Sequence, residues 1–430
     1  MVQPFTAPES IVLRWARAWG MQELDHYRRA GGYEAARRVA TGAITPDQVI
    51  ESVTASGLRG KGGAGFPTGQ KLKFIPRQAP VKYVVVNGDE GEPCTFKDRT
   101  LIEGCPHLLI EGILIAALTI GARKAYVYLR KEFYHGRRVL DAALEQARAA
   151  GFVGSGVFGT PSDVEIVVHS GAGAYIAGEE TALLESLEGR RAMPRLRPPF
   201  PAQAGLYGKP TLLNNVETLC HLPVILTLGP ETYKAYGPPA LFSVSGAVSR
   251  PGVYEAPLGV PLRSLIFDYA GGLRPGRTFK AAFPGGSSSM LLTDEHLDVP
   301  MDYDSLRLVG SMLGSASVIV LDDTCDMVEI IARTVEFYRE ESCGKCTPCR
   351  EGTIWITQVL ERILHGRGRP DDLPLLESIA RGMTGTCFCP LGESVPPSLG
   401  ASLKHFRHEY ERHIARAAGA PPEVHTVRGH

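Results

Sequence analysis

Residues 57–69 read Gly57-Leu-Arg-Gly60-Lys-Gly62-Gly63-Ala64-Gly65-Phe66-Pro-Thr-Gly69, six glycines in thirteen positions. Without side chains, backbone amides can close around a phosphate or lie flat against a ring, which is the chemical reason to concentrate glycine there. Gly60, Gly62 and Gly65 satisfy GxGxxG, the spacing of a dinucleotide-binding turn. That turn must follow a strand, yet residues 46–56 carry Val49, Ile50 and Val53 on one helical face. The clear strand, residues 83–86, comes after the loop. Helix, glycine loop and strand in this order predict an α/β domain with a non-standard, Rossmann-like nucleotide site. A standard dinucleotide fold and a plain glycine turn are the other readings.

The strand runs into Asn87-Gly-Asp89-Glu90-Gly-Glu92-Pro93. Ligands of open α/β domains bind outside the carboxyl ends of strands, so Asn87, Asp89, Glu90 and Glu92 suit sugar hydroxyls or a flavin edge. The plainer alternative is a solvated acidic turn. A second strand, 164–168, delivers Gly171-Ala-Gly-Ala-Tyr175-Ile-Ala-Gly178-Glu179-Glu180, and Arg195-Leu-Arg-Pro-Pro-Phe200-Pro and Asn214-Asn215-Val-Glu-Thr218 follow. Phe66, Phe74 and Phe200 are either core or rings that stack on a nicotinamide or adenine.

The other concentrated signal is Glu341-Ser-Cys343-Gly-Lys-Cys346-Thr-Pro-Cys349-Arg-Glu-Gly352, a CxxCxxC run, with Cys387 and Cys389 later in Thr386-Cys-Phe-Cys-Pro-Leu391. Three thiolates from one tight turn and a distant fourth match a four-iron four-sulfur cluster. Zinc, which more usually takes two CxxC pairs or Cys/His pairs, and free thiols are the alternatives. Cys389 precedes Pro390, as the last ligand of ferredoxin-type runs often does, and Cys387 is the spare. Flanking apolar periods predict helices: Met327, Ile330, Ile331, Thr334 and Tyr338 before the run, Ile356, Val359, Leu360 and Ile363 after it, then 373–381 and 403–416. The C-terminal hundred residues read as a helical bundle whose loops hold the cluster.

The chain has 430 residues, enough for two to four domains, with 46 Lys plus Arg against 46 Asp plus Glu. Zero formal charge offers no basic field, so nucleic acid is not expected as a partner. The longest apolar stretch, 108–121, falls short of the ~20 residues that cross a bilayer, so no direct membrane insertion is expected. Glu9, Arg14 and Arg17 interrupt any signal-like apolar region, which points to a reducing compartment and to nine cysteines that need a role other than disulfides.

Together with Phe96-Lys-Asp-Arg99, Pro106-His-Leu-Leu-Ile-Glu111 and Gly208-Lys-Pro210, these motifs resemble the flavoprotein subunit of respiratory NADH:quinone oxidoreductase, complex I, over about residues 30 to 410. The wider family includes diaphorase subunits of NAD-linked hydrogenases and formate dehydrogenases. Several positions depart from the commonest complex I pattern: Leu72 stands for Trp, Gly88 for Ala, Ser170 for Arg, Ala177 for Cys and Arg197 for Lys. The resemblance implies FMN, an NADH/NAD site stacked on it, and one 4Fe-4S cluster. It places FMN contacts on Gly60, Gly62, Lys71, Asn87, Asp89, Glu90, Tyr175, Gly178, Glu179, Asn214, Asn215 and Thr218. NADH contacts fall on Gly63, Ala64, Phe66, Lys71, Phe74, Glu92, Glu180 and Phe200, and cluster ligands on Cys343, Cys346, Cys349 and Cys389.

The expected fold class is therefore α/β and α+β multidomain. An N-terminal helical segment (1–56) leads into an FMN- and NADH-binding domain (57–239). A ubiquitin-like, β-grasp domain of soluble-ligand-binding type (240–325), a helical bundle with the 4Fe-4S cluster (326–418) and a flexible tail (419–430) complete it. The loop Pro284-Gly-Gly-Ser-Ser-Ser289 reads as a surface turn, with the nucleotide site as its alternative setting.

NADH gives up two electrons as a hydride and an iron-sulfur cluster accepts one at a time, so a flavin must stand between them. The protein's part is to hold the hydride donor ~3 to 3.5 Å from its acceptor. No side chain is expected to be catalytic; Glu92 and Glu180 orient the nucleotide. The resemblance further implies a thioredoxin-like 2Fe-2S partner subunit, a large iron-sulfur subunit of the peripheral arm, electron flow towards quinone, and a place at the cytoplasmic face of the inner membrane. Alternatives are a diaphorase subunit of a soluble NAD-linked hydrogenase or formate dehydrogenase, and a non-redox scaffold with a structural metal.

Overall fold

The computed structural model describes residues 9–419. Residues up to Asp322 form one compact unit and those from Asp323 a second. Of the predicted tail, 419–430, Gly419 ends the helix Arg407–Gly419 and the rest lies outside the described residues.

In the first unit, β1 (Tyr83–Gly88), β2 (Lys124–Leu129), β3 (Glu165–Ser170) and β4 (Thr211–Asn215) make a wholly parallel sheet in the order β3-β2-β1-β4. Val84, Val85 and Val86 are fully buried, the signature of a strand covered on both faces. The chain steps from β1 to β2 on one side and returns past β1 to β4 on the other. Strand order therefore reverses between β1 and β4, where ligand crevices form in open parallel sheets. Register sets Val86 beside Asn214 and Asn87 beside Asn215 at that point.

One layer is the helix Pro106–Ile120, opened by proline in its first turn and closed by Gly121 at φ +73°. It packs on the helix Val216–Leu228 so closely that a Cβ on Gly112 would stand 2.2 Å from the Leu219 carbonyl oxygen. Its buried Glu111 accepts the Tyr27 hydroxyl at 2.5 Å and the amides of Tyr33 and Ala36 at 2.9 and 3.2 Å. The helix Pro46–Ala55 begins with a reciprocal Thr45/Gln48 cap.

A second sheet, β6-β5-β8-β7, is mixed. Here β5 (Pro239–Gly246) pairs antiparallel with β6 (Gly252–Pro257) and parallel with β8 (Ser317–Asp322), which pairs antiparallel with β7 (Phe279–Phe283). Glu255 of β6 accepts the amides of Ile11, Val12 and Leu13 at 2.7, 3.1 and 2.6 Å. One buried carboxylate thus seats the start of the described chain.

The second unit is helical: Met327–Glu341, Thr347–Leu364, Asp372–Met383, Val395–His405 and Arg407–Gly419, with a short turn at Pro390–Glu393. The expected single helix over 403–416 is two. Leu403, Phe406 and Tyr410 recur at helical spacing, but Phe406 leaves helical geometry at φ −125°. The chain turns there, and the buried Ser402 and Tyr410 hydroxyls meet at 2.9 Å. The helix before the break was hidden by Pro396 and Pro397, which are tolerated because first-turn amides have no helical partner. Among the described residues no single helix is long and apolar enough to cross a membrane.

Gly112→Ala tests the close approach of the two core helices. Overpacking against backbone costs about 2 to 3 kcal/mol, so the thermal midpoint of unfolding falls. An unchanged midpoint would show that the helices part freely.

Candidate functional site

The glycine loop is a tight hairpin-like turn: the Gly60 amide donates to the Phe66 carbonyl at 2.8 Å, and Gly63 and Gly65 take φ of +116° and +61°. Gly62 lies against Asn215, where a Cβ would come within 3.1 Å of the asparagine's own. The Lys61 amide donates to the Thr218 hydroxyl at 2.8 Å. The loop therefore reaches the strand ends, although it precedes β1 in the chain. Asn87 donates to the Gly178 carbonyl at 2.8 Å, and Glu179 accepts the amides of Thr181 and Ala182, capping the helix Glu180–Leu187. Ala64, Phe66, Phe74 and Phe200 are exposed, with the Phe66 and Phe74 rings 6.0 Å apart. Glu180 meets two cations, Arg197 at 2.9 Å and Lys71 at 3.7 Å.

Beneath this face lies a chain of buried charges. Lys97, 1% exposed, stands 2.8 Å from both Asp98 and Glu217. Asn215 donates to Asp98 at 2.5 Å, and Glu90 accepts the amides of Asp98 and Arg99 at 2.8 and 3.0 Å. Burial works against the Lys97 charge, but Asp98, Glu217 and Glu90 outweigh it and raise its pKa. Burial likewise opposes ionisation of Glu217, yet Lys97, His221 and Lys61 hold it at about 2. Burial and the Asp98 carboxylate push Glu90 up to about 8. Sequence reasoning gave no role to Lys61 or Glu217; Glu217 sits inside the Asn214–Thr218 motif, and Lys97-Asp98 is an adjacent charge pair opening a helix.

Glu92 accepts the Tyr175 hydroxyl at 2.6 Å, the Ser287 hydroxyl at 3.1 Å and the Ser288 amide at 2.9 Å. This corrects the reading of 284–289 as a surface turn. Residues 284–287 and Ser289 are buried, because the loop closes over a carboxylate distant in sequence.

In the second unit Cys343, Cys346 and Cys349 stand together at the start of the helix Thr347–Leu364. The Ser342 hydroxyl is 3.3 Å from the Cys349 sulfur, and the Phe388 amide donates to the Cys346 sulfur at 3.4 Å. A Cβ on Gly392 would stand 2.6 Å from the Cys387 sulfur and 2.9 Å from the Cys349 Cβ, so only glycine lets the late loop close on the run. The Cys387 thiol donates to the Met383 carbonyl at 3.5 Å. Among the described residues no three His, Cys, Asp or Glu side chains converge tightly enough for a single ion.

Comparison with known proteins puts a class to this arrangement. Residues 53–224 match the family described as the Nuo51 FMN-binding domain, 241–290 the SLBB domain, and 329–413 the NADH-ubiquinone oxidoreductase-F iron-sulfur binding region. The chain is 50% identical over 412 residues to the NADH-quinone oxidoreductase F subunit, the one numbered 2, of Rhizobium meliloti (strain 1021), covering 94% of this chain and 98% of that one. With the F subunit of the Escherichia coli (strain K12) enzyme it shares 44% over 432 residues, 98% and 96% of the two chains. An NAD+-reducing [NiFe]-hydrogenase in the H2-reduced state superposes with a TM-score of 0.82 at 36% identity, over 96% of this chain and 68% of that one. The chain belongs to the family of NADH-quinone oxidoreductase F subunits.

The residues present fit an FMN. The Asn214 amide nitrogen is buried at the β4 end without a hydrogen-bond partner among the described residues, a donor awaiting an acceptor. Gly62 and Gly178 bring bare backbone to the strand ends, where a Cβ would stand 3.1 Å from the Asn215 Cβ and 3.4 Å from the Asp89 carbonyl oxygen. The thiol set and the amide donated to Cys346 likewise fit a cubane cluster.

Lys97→Met would leave Asp98 and Glu217 buried without their cation. The expected cost is about 3 to 5 kcal/mol, read as a lowered unfolding midpoint. Because Glu217 lies below its ordinary 4.5, its contribution is full above about pH 4.5 and is lost as the pH falls through about 2.

Proposed function

We propose that this chain is the NADH-oxidising flavoprotein subunit of a multisubunit NADH:quinone oxidoreductase. It is an NADH dehydrogenase subunit that uses FMN and one 4Fe-4S cluster. The observation that carries the reading is convergence: the glycine loop, the carboxyl end of β1 and the Asn214–Thr218 motif meet at one strand-order reversal.

Bound FMN would accept a hydride and release its electrons singly. We assign its phosphate and ring to Gly60, Gly62, Lys71, Asn87, Asp89, Glu90, Tyr175, Gly178, Glu179, Asn214, Asn215 and Thr218. Gly63, Ala64, Phe66, Lys71, Phe74, Glu92, Glu180 and Phe200 take the nicotinamide nucleotide. The exposed Phe66 and Phe74 rings offer stacking faces, while Glu92 and Glu180 orient ribose or carboxamide and exchange no proton. Arg197 is paired with Glu180 and thus is not a free guanidinium for a 2′-phosphate. Cys343, Cys346, Cys349 and Cys389 hold the cluster.

The domain reading is 1–56, 57–239, 240–325 and 326–418, with the second sheet and the helical turns of 262–269 as a β-grasp domain. A thioredoxin-like 2Fe-2S subunit and a large iron-sulfur subunit are the proposed partners, and the cytoplasmic face of the inner membrane the proposed location. The second reading, a hydrogenase diaphorase subunit, is favoured by the hydrogenase superposition; the higher identity to quinone-linked subunits puts it second.

Purified anaerobically with its FMN and iron complement, the protein is expected to reduce ferricyanide with NADH, with kcat/KM for NADH above that for NADPH. Glu92→Gln should narrow that ratio at least about tenfold, since a carboxylate repels a 2′-phosphate by ~1 to 4 kcal/mol. Inertness to NADH would favour the scaffold reading, and an unmoved ratio would remove Glu92 from selectivity.

Cys389→Ser should abolish the cubane EPR signal or convert it to a three-iron species, while Cys387→Ser leaves it intact. The reverse result would exchange the two assignments.

A further inference from the structure

The loop that closes over Glu92 is built with more care than a surface turn requires. It follows β7 in the second sheet, whereas Glu92 follows β1 in the first. Gly286 takes φ +93°, and a Cβ there would stand 2.4 Å from the Glu92 Oε1 atom. Only glycine at position 286 lets the loop backbone come this close to the carboxylate. The loop is pinned from within: the Ser289 hydroxyl accepts the Gly285 amide at 3.0 Å and donates to the Gly286 carbonyl at 2.7 Å. It is pinned from outside by the Gly286 amide, which donates to the Ser317 carbonyl of β8 at 2.6 Å.

Within this frame the Ser287 hydroxyl and the Ser288 amide both donate to Oε1, while Tyr175 donates to Oε2. An ionised carboxylate only accepts, so each of these donors favours the charged form and fixes the plane of the group. Burial pushes the Glu92 carboxyl above its ordinary value, and the Tyr175, Ser288 and Ser287 donors oppose that push. Glu92 as a residue is partly buried, and its carboxylate takes donors on both oxygens.

We infer that Ser287 and Ser288 are positioning residues for the nicotinamide nucleotide: they hold the Glu92 carboxylate in the orientation in which it accepts a ribose hydroxyl. The second sheet thereby takes part in nucleotide selection through two serines that need not touch the nucleotide. This rests on the reading of Glu92 as a nucleotide contact.

The test uses the full FMN-loaded protein and two readouts, the Kd of NAD+ by calorimetry and the KM and kcat for NADH with ferricyanide. Ser287→Ala is expected to raise Kd and KM about 5- to 10-fold with kcat changed less than about twofold, the loss of one hydrogen bond to a charged group. Ser287→Thr retains the hydroxyl and should return both to within about twofold. In a Glu92→Gln background, Ser287→Ala should add less than about twofold, because a residue acting through Glu92 has nothing left to act on. Wild-type affinity in Ser287→Ala, or an effect that persists undiminished beside Glu92→Gln, overturns the inference. Glu92→Gln binding NAD+ as tightly as wild type overturns instead the assignment of Glu92 on which it rests.

Discussion

Lys97 is the interaction on which the site depends. Its ammonium is enclosed by Asp98 from its own helix and Glu217 from the helix after β4, and each anion also holds backbone or amide groups of another element. Asp98 accepts from Asn215 at the β4 end, and Glu217 accepts the Leu241 amide of β5 in the second sheet. The neighbouring Thr218 takes the Lys61 amide of the glycine loop, and the Lys61 ammonium donates to the Pro239 carbonyl at 2.6 Å. Removing any one of these buried partners leaves the others uncompensated, which makes the arrangement all-or-none. Glycine loop, strand ends and second sheet are set relative to one another by a few ions rather than by apolar packing alone.

This explains how a glycine loop that comes before its strand can serve the crevice of a parallel sheet. In the usual dinucleotide turn the loop is tethered because it leaves β1 directly. Here the tether is through space, by Lys61 to Thr218 and by Gly62 against Asn215. The strand-order reversal supplies the crevice, and the ion chain beneath it supplies the registration.

What the sequence made legible was whatever is encoded locally. The CxxCxxC run, the valine strand, the amphipathic helix Pro46–Ala55 and the acidic strand end each carry their signal within a few residues. The helix Val395–His405 escaped because its prolines sit in the first turn, where composition argues against a helix and geometry does not. The Ser287 and Ser288 contacts with Glu92 span 195 and 196 positions, and no local pattern announces them. Asn87, Asn214 and Glu92 could be named as polar groups near a strand end. That the Asn214 amide nitrogen lacks a partner among the described residues, while Glu92 is held by donors from two distant segments, is a property of the packed core.

The carboxylate of Glu255 that seats the amides of residues 11–13 joins segments 242 to 244 positions apart. At about 5 to 20 residues per second, the ribosome makes the acceptor on the order of 12 to 50 s after it makes the donors. For that interval the amides of residues 11–13 cannot take their final acceptor. The seating of residues 11–13 is therefore timed by translation of β6, and this segment waits in the nascent chain until that strand is made.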